Sequence, residues 1–418
     1  MYPELEKTLA GLSLANSNHN VENSEHAVFL SGNGPLVDVL REALARDDVE
    51  LAKERDEKLK KNEALSKAKA FIQNIHHFRD DGIENPGAPI ERVVVFDEAQ
   101  RAWNKEQTAK FMKEKKGKAN FQMSEPEFLI SVMDRHDSWA TIICLIGGGQ
   151  EINTGEAGLP EWYYALKERF SHWHVFVSNR LSDQEYTRGI QLFDEKALKN
   201  LEFVPELHLG VSVRSFRSEN VSALVKAILD CDLNSAKEYF KSVSENYPIF
   251  MTRDLNLAKK WVAEQSRGSE RYGLLASSGA IRLRAYGIHV KAEADPKVWF
   301  LNDKNDIRSS FYLEDVATEF MIQGLELDWT LVAWDADLRF SEGNWILKAF
   351  RGTSWQDINS PDRRLYLINA YRVLLTRGRQ GMVIFVPPGN KDDPTCLPEF
   401  YDGTYNFFKE IGFKENFA

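Results

Sequence analysis

The chain has few cysteines and no long apolar run. Its three cysteines, Cys144, Cys231 and Cys396, are too few and too far apart for a disulfide framework or a clustered metal site, and they predict a reducing compartment, the cytoplasm. No stretch reaches the roughly 20 apolar residues that cross a bilayer, and the first residues lack the pattern of a secretory signal. We therefore expect no membrane partner.

The chain also lacks an excess of positive charge. Its formal net charge of −10 argues against non-specific polyanion binding by the whole surface, although a local basic groove is compatible with it. A hydrophobic content of 43% and a charged content of 28% are typical of a globular protein. The length of 418 residues predicts two domains rather than one.

Short apolar runs recur in both halves of the chain, each followed by a turn and a helical pattern. Such runs are typical of strands that are buried on both faces of a parallel sheet. They lie at residues 27–30, 93–96, 142–146, 175–177, 249–251, 274–276, 331–334 and 382–386. The sequence thus predicts two α/β domains, at residues 1–190 and 200–418, each a parallel sheet with helices on both faces.

Two adjacent carboxylates, Asp97 and Glu98, follow the apolar run at 93–96. In α/β sheets ligands bind at the carboxyl ends of strands, so this pair is a candidate for chemistry. One carboxylate can hold Mg²⁺ while its neighbour orients and deprotonates a water molecule. The alternative is that Asp97 only caps the start of a helix.

A second special turn follows the run at 142–146, where three glycines precede Gln150. An amide side chain can donate to a terminal phosphate oxygen and accept from an attacking water, but a glycine turn without a ligand is a common alternative. In the second half, Arg214 and Arg377 are candidates to neutralise charge on a transferring phosphoryl group. A single arginine on a helix is more often part of a surface ion pair.

The order and spelling of these motifs resemble superfamily 1 helicases. Four segments carry the resemblance: Phe-Asp-Glu-Ala-Gln-Arg-Ala-Trp at 96–103, Gly-Gly-Gly-Gln-Glu-Ile at 147–152, Gln-Gly-Leu-Glu at 323–326 and Leu-Leu-Thr-Arg at 374–377. In spelling they are similar to the Schlafen group 3-like DNA/RNA helicase domain, from about residue 27 to 387. This resemblance implies two RecA-like domains of the P-loop NTPase kind that use ATP and Mg²⁺ and bind single-stranded DNA or RNA.

The resemblance also implies roles for individual residues. Asp97 would hold Mg²⁺, Glu98 would be the catalytic base, and Gln150 would sense the γ-phosphate, while two arginines reach the triphosphate in a shared inter-domain cleft. The implied catalytic residues are Glu98, Gln150, Arg214 and Arg377. The implied nucleotide contacts are Asp97, Gln100, Gln323, Gly324 and Glu326. The implied nucleic-acid contacts are Ser31, Gly32 and Asn33, although a plain strand-to-helix turn would look the same.

Other candidates for nucleic-acid contact are weaker. Five tryptophans, among them Trp103, have rings that could stack on bases, and the basic run at 110–118 could contact phosphates. Core packing and a solvated loop are the favoured interpretations of these two features. A nuclease is less favoured than a helicase, because two-metal chemistry needs several converging carboxylates.

The chain departs from the family in one important respect. The phosphate-binding pattern Gly-x-x-x-x-Gly-Lys-Ser/Thr is found nowhere in it, and the family's loop would precede the helix that residues 4–14 predict. Three explanations remain: a first domain that is incomplete at its N-terminus, a partner chain or upstream segment that supplies the loop, or lost hydrolysis. The leading hypothesis is a nucleic-acid-dependent ATPase and translocase that is weak or inactive as this chain. The alternative is a non-catalytic nucleic-acid-binding or scaffold pseudo-helicase.

Overall fold

The computed structural model describes residues 8, 10–15, 26–118, 120–147, 158–182, 198, 200–208 and 215–415. The chain divides between Ser212 and Val213 into two compact units, each with its own sheet and core. Both units combine parallel strands with helices, so the predicted α/β class is confirmed. Among the described helices, none is long and apolar enough to cross a membrane.

The first unit is built around a four-stranded parallel sheet with the order β2-β1-β3-β4, beside a separate parallel pair of β5 and β6. Its strands are β1 (His26–Ser31), β2 (Ile72–Asn74), β3 (Glu91–Asp97), β4 (Thr141–Cys144), β5 (Val175–Val177) and β6 (Leu201–Phe203). Its helices are α1 (Gly34–Glu54), α2 (Lys61–Phe71), α3 (Ile75–Glu84), α4 (Lys105–Lys116), α5 (Glu125–Met133) and α6 (Leu159–Glu168). Residues 10–15 are also helical.

The central residues of strands β1 and β3 are apolar because both faces of this sheet are covered. Successive side chains of a strand point to opposite faces. One face presents Val28, Leu30, Val94 and Phe96 to one core cluster. The other presents Ala27, Phe29, Val93 and Val95 to a second cluster that includes Ala15. The near-continuous apolar runs in the sequence therefore follow directly from two-sided burial.

The second unit contains a five-stranded parallel sheet with the order β7-β14-β10-β8-β9, and an antiparallel sheet of β11, β12 and β13. Its strands are β7 (Ile249–Thr252), β8 (Tyr272–Ala276), β9 (Val316–Ala317), β10 (Leu327–Ala333), β11 (Leu338–Ser341), β12 (Asn344–Arg351), β13 (Ser354–Asp357) and β14 (Gly378–Phe385). Its helices are α7 (Ser215–Leu229), α8 (Leu233–Val243), α9 (Leu255–Gln265), α10 (Pro296–Leu301), α11 (Glu319–Ile322), α12 (Pro361–Leu375) and α13 (Glu399–Ile411).

The central strands of the second sheet are as apolar as those of the first, and for the same reason. Every residue of β8 and β10 is buried, and α9 packs against the sheet through Ala258, Trp261 and Val262. All eight apolar runs that the sequence indicates lie wholly or largely within strands, so the strand predictions are confirmed.

Candidate functional site

Three polar residues end neighbouring strands of the first sheet. Ser31 is the last residue of β1, and it is paired in register with Asn74 at the end of β2 and with Asp97 at the end of β3. Neighbouring strands lie about 5 Å apart, so the three side chains share one edge of the sheet. This carboxyl edge is where open α/β sheets bind ligands.

Asp97 has a hydrogen-bond partner that is distant in sequence. The Thr8 hydroxyl donates to Asp97 Oδ2 over 3.1 Å, and both side chains are buried, with exposures of 1% and 3%. The helical residues 10–15 pack closely on the sheet, because a Cβ added to Gly11 would come within 2.5 Å of Leu145 Cδ1. A hydroxyl and a carboxylate are therefore held together at the carboxyl edge.

Glu98 occupies the left-handed region, with φ +54°, and its side chain is buried. The Gln100 amide donates to Glu98 Oε2. The backbone N–H of Gly147, in the glycine turn after β4, donates to Gln100 Oε1 over 3.1 Å, and the N–H of Gly158 donates to the Gln100 carbonyl over 2.9 Å. Gln100 thus fixes the Glu98 carboxylate and links it to the glycine turn.

The residues predicted to contact nucleic acid lie at the same edge. Ser31 Oγ accepts from the N–H of Asn33, and Asn33 caps α1 by accepting from the N–H of Leu36. Asn74 caps α3 in the same manner and accepts from the N–H of His76 over 2.9 Å. Two helix N-termini, which favour negative charge, therefore begin at this edge, one after β1, which is next to β3, and one after β2.

In the second unit, the structure brings the predicted residues to the amino edge of the sheet. Gln323 caps the end of α11, and Gly324 follows with φ +76°, a conformation that favours glycine. Glu326 and Arg377 directly precede β10 and β14, and the N–H of Leu327 donates to the Arg377 carbonyl over 3.0 Å. The side chains of Gln323, Glu326 and Arg377 are all buried.

The predicted sensor Gln150 and the predicted arginine Arg214 lie outside the residues that the structure describes. The structure therefore does not test whether they join the others around one ligand. Their roles remain predictions.

Sequence reasoning missed Thr8. Residues 7 and 8 are Lys-Thr, the last two residues of the phosphate-binding pattern, but Glu6 stands where the pattern has glycine, so a search for the whole pattern passes over them. In P-loop proteins the hydroxyl of this position and the aspartate after the neighbouring strand both serve Mg²⁺. The hydrogen bond between Thr8 and Asp97 brings these two residue types together in this chain.

Comparison with protein families matches residues 7–388 to one family, Schlafen group 3, DNA/RNA helicase domain. The chain belongs to this family. A search of curated proteins found none that matches. Because the Schlafen group 3 match covers most of the chain, it supports a helicase-like function related to nucleic acid. The match begins at Lys7, so it includes the Lys-Thr pair as well as the motifs at 96–103, 323–326 and 374–377.

Proposed function

We propose that the chain is a helicase-type, nucleic-acid-dependent ATPase built on two RecA-like domains, at residues 1–190 and 200–418. The observation that carries the proposal is the hydrogen bond between Thr8 and Asp97 beside the buried Glu98. The family match supports the helicase-like class, and the proposal adds the nucleotide chemistry. Single-stranded DNA or RNA is the proposed partner.

Magnesium is the proposed metal, held by Asp97 and Thr8. Within the described residues no group of three or more His, Cys, Asp or Glu side chains is placed to hold a metal ion. Mg²⁺ does not need such a group, since it commonly uses one or two protein oxygens with water molecules and phosphate oxygens. When bound, the ion would neutralise charge on the β- and γ-phosphates.

Glu98 is the proposed base. Its carboxylate is buried and held by Gln100, so it is positioned before any water arrives. A fixed carboxylate next to the metal-binding aspartate can take the proton of the attacking water. Gln100 is then a positioning residue, and its predicted direct contact with nucleotide remains part of the proposal.

Residues of the second unit complete the proposal. Arg377 is the proposed counter-charge for the γ-phosphate, and the segment Gln323, Gly324 and Glu326 is proposed to couple nucleotide to nucleic acid. The proposed roles of Gln150 and Arg214 rest on the motif spelling alone. The single-strand contacts are proposed for Ser31, Gly32 and Asn33, supported by the two helix N-termini at that edge.

The glycines of the phosphate-binding loop are missing before Lys7, and this favours weak nucleotide affinity. The same absence is the observation that favours the second candidate function, a non-catalytic nucleic-acid-binding pseudo-helicase. The two candidates differ in what happens when the glycines are supplied. Replacement of residues 1–6 by a segment ending in Gly-x-x-x-x-Gly should tighten MgATP binding by about 100-fold, the effect of one or two charge-assisted hydrogen bonds.

The test measures MgATP binding and phosphate release, with and without single-stranded oligonucleotide, in that glycine-supplied chain. Glu98→Gln should lower the hydrolysis rate about 100-fold or more while MgATP binding stays within about twofold. Asp97→Asn and Thr8→Ala should both weaken the Mg²⁺ dependence of binding. Glu91→Gln is the matched control, because Glu91 lies at the opposite end of the same strand and should leave hydrolysis unchanged.

Turnover that survives Glu98→Gln would refute the assigned base. Tight binding of a single strand without nucleotide binding, even with the glycines supplied, would favour the pseudo-helicase instead.

A further inference from the structure

Three aromatic rings form a cluster on the first unit that the proposed chemistry does not use. His76 lies 5.0 Å from Trp103 and 6.2 Å from Phe111 between ring centroids, and Trp103 lies 5.3 Å from Phe111. All three residues are only partly buried. We call His76, Trp103 and Phe111 the ring platform.

A buried ion pair supports the ring platform from beneath. The Arg79 guanidinium is fully buried, 4.6 Å from the centroid of Phe111 and 5.3 Å from that of Trp103. It donates to Glu125 Oε1 over 3.1 Å, while Glu125 Oε2 accepts from the N–H of Trp103 over 3.1 Å. The rings are therefore fixed from below, and little further ordering is needed when a flat ligand binds.

The platform lies next to the carboxyl edge that carries Asp97. His76 comes two residues after Asn74, which ends β2 beside Ser31, and Trp103 comes five residues after Glu98. Burial lowers the pKa of His76 to about 4, so its imidazole is neutral at pH 7. A neutral imidazole can stack on a base as the other two rings can.

Positive charge adjoins the platform. Helix α4 starts two residues after Trp103 and contains five lysines and two glutamates, in a chain whose formal net charge is −10. Lys105, Lys110 and Lys113 are exposed. This local excess of positive charge complements a polyanion, which the chain as a whole does not.

We propose that the ring platform and the lysines of α4 bind single-stranded nucleic acid, with bases stacked on the rings and phosphates held by the lysines. Partly exposed rings beside basic residues are the combination that single-strand-binding proteins use. An unpaired strand is required, because bases inside a duplex have no free face to stack. The inference rests on the proposed function and adds a place on the first unit where the strand is held.

The experiment measures fluorescence anisotropy of labelled oligo-dT and oligo-rU with the full chain. Trp103→Ala should weaken binding at least about fivefold, which corresponds to about 1 kcal/mol, the lower end of base stacking on one ring. Lys110→Glu combined with Lys113→Glu should lower the slope of log affinity against log salt by about 1 or more. Trp103→Phe keeps a ring and should retain most of the affinity.

Trp139→Ala is the matched control. Trp139 is 45% exposed, and the Arg92 guanidinium lies 5.3 Å from its ring, so it offers a similar surface. It precedes β4 and therefore lies at the amino edge of the same sheet, away from the platform. Its replacement should leave oligonucleotide affinity within about twofold of the unmodified chain, because no base is proposed to stack there.

Thermal unfolding followed by circular dichroism checks that each variant is folded. Should Trp103→Ala unfold, the exposed lysine pair carries the test. Unchanged affinity and salt slope in the lysine variant, or in a folded Trp103→Ala, would overturn the inference. If hydrolysis nevertheless depends on Glu98 and on an oligonucleotide, the proposed function stands without it. If the unmodified chain does not bind a single strand and the glycine-supplied chain does not hydrolyse ATP, the inference and the proposed function both fail.

Discussion

Replacement of Asp337 by asparagine should stabilise the second unit at alkaline pH. Asp335 and Asp337 follow β10 and are both buried. Burial raises the pKa of both carboxyls, that of Asp335 to about 7, and the charge of Asp337 is the next largest cause of the shift at Asp335. A folded-state pKa above the unfolded value means that Asp335 favours folding at low pH, and that this contribution is lost as the pH rises through about 7.

The magnitude follows from the size of the shift. Because the pKa of Asp335 is raised from its ordinary value to about 7, stability on the order of 4 kcal/mol is lost between pH 4 and pH 8. An asparagine at position 337 removes the repulsion between the carboxylates and still bonds to both neighbours. Tyr371 and Ser277 now donate to Asp337, and either hydroxyl can rotate to accept from the new amide. Since burial of Asp335 is unchanged, we expect a gain of about 1–2 kcal/mol at pH 8 and little change at pH 5.

Urea denaturation followed by tryptophan fluorescence at pH 5, 6, 7 and 8 measures the effect. Trp334 packs 4.2 Å from Tyr371 between ring centroids and reports on this part of the core. The difference in free energy of unfolding between Asp337→Asn and the unmodified chain removes the contribution of groups that titrate elsewhere, because those groups are the same in both proteins. Ser277→Ala removes one donor without a change of charge, and so should destabilise at every pH. A variant that is no more stable at pH 8, or whose effect does not vary with pH, would refute the reasoning.

Two further predictions concern the stability of the fold, one through close packing and one through a buried ion pair. Gly403→Ala should destabilise the second unit by about 3 kcal/mol, because the new Cβ would lie 1.9 Å from the carbonyl oxygen of Phe340. Gly87→Ala is the control, since a Cβ there would meet no described heavy atom within 4 Å. Thermal unfolding should show it to be nearly neutral. Arg79→Met should cost about 3–5 kcal/mol in urea denaturation, because it leaves Glu125 charged and buried. Addition of Glu125→Gln should recover much of that loss, and a double variant no more stable than Arg79→Met would contradict this account.

The strands and the carboxylate pair could be predicted because their causes are local. Two-sided burial makes the middle of a strand such as β3 apolar, Asp97 is the last residue of that strand, and Glu98 follows it directly in sequence. The antiparallel strands β11–β13 give no such signal, since β12 alternates buried and exposed residues only in part. The sequence therefore predicts only a parallel sheet in the second half of the chain.

The contact between Thr8 and Asp97 could not be predicted from local pattern. It joins residues 89 positions apart, and it depends on the helical residues 10–15 packing against the sheet. The ring platform could not be predicted from local pattern either, because core packing is the interpretation that the sequence favours for Trp103. Partial exposure of three rings from separate segments becomes visible only when the chain is folded.

The left-handed backbone conformation of Glu98 lowers the stability of the fold at a residue that is proposed to act in catalysis. A residue other than glycine, asparagine or aspartate loses about 1–2 kcal/mol in this conformation, and glycine adopts it without strain. A chain selected only as a rigid scaffold would gain from glycine or asparagine at position 98. The strain at Glu98 is therefore the cost of placing a carboxylate at this position, where the proposed hydrolysis requires one and a non-catalytic binding role does not.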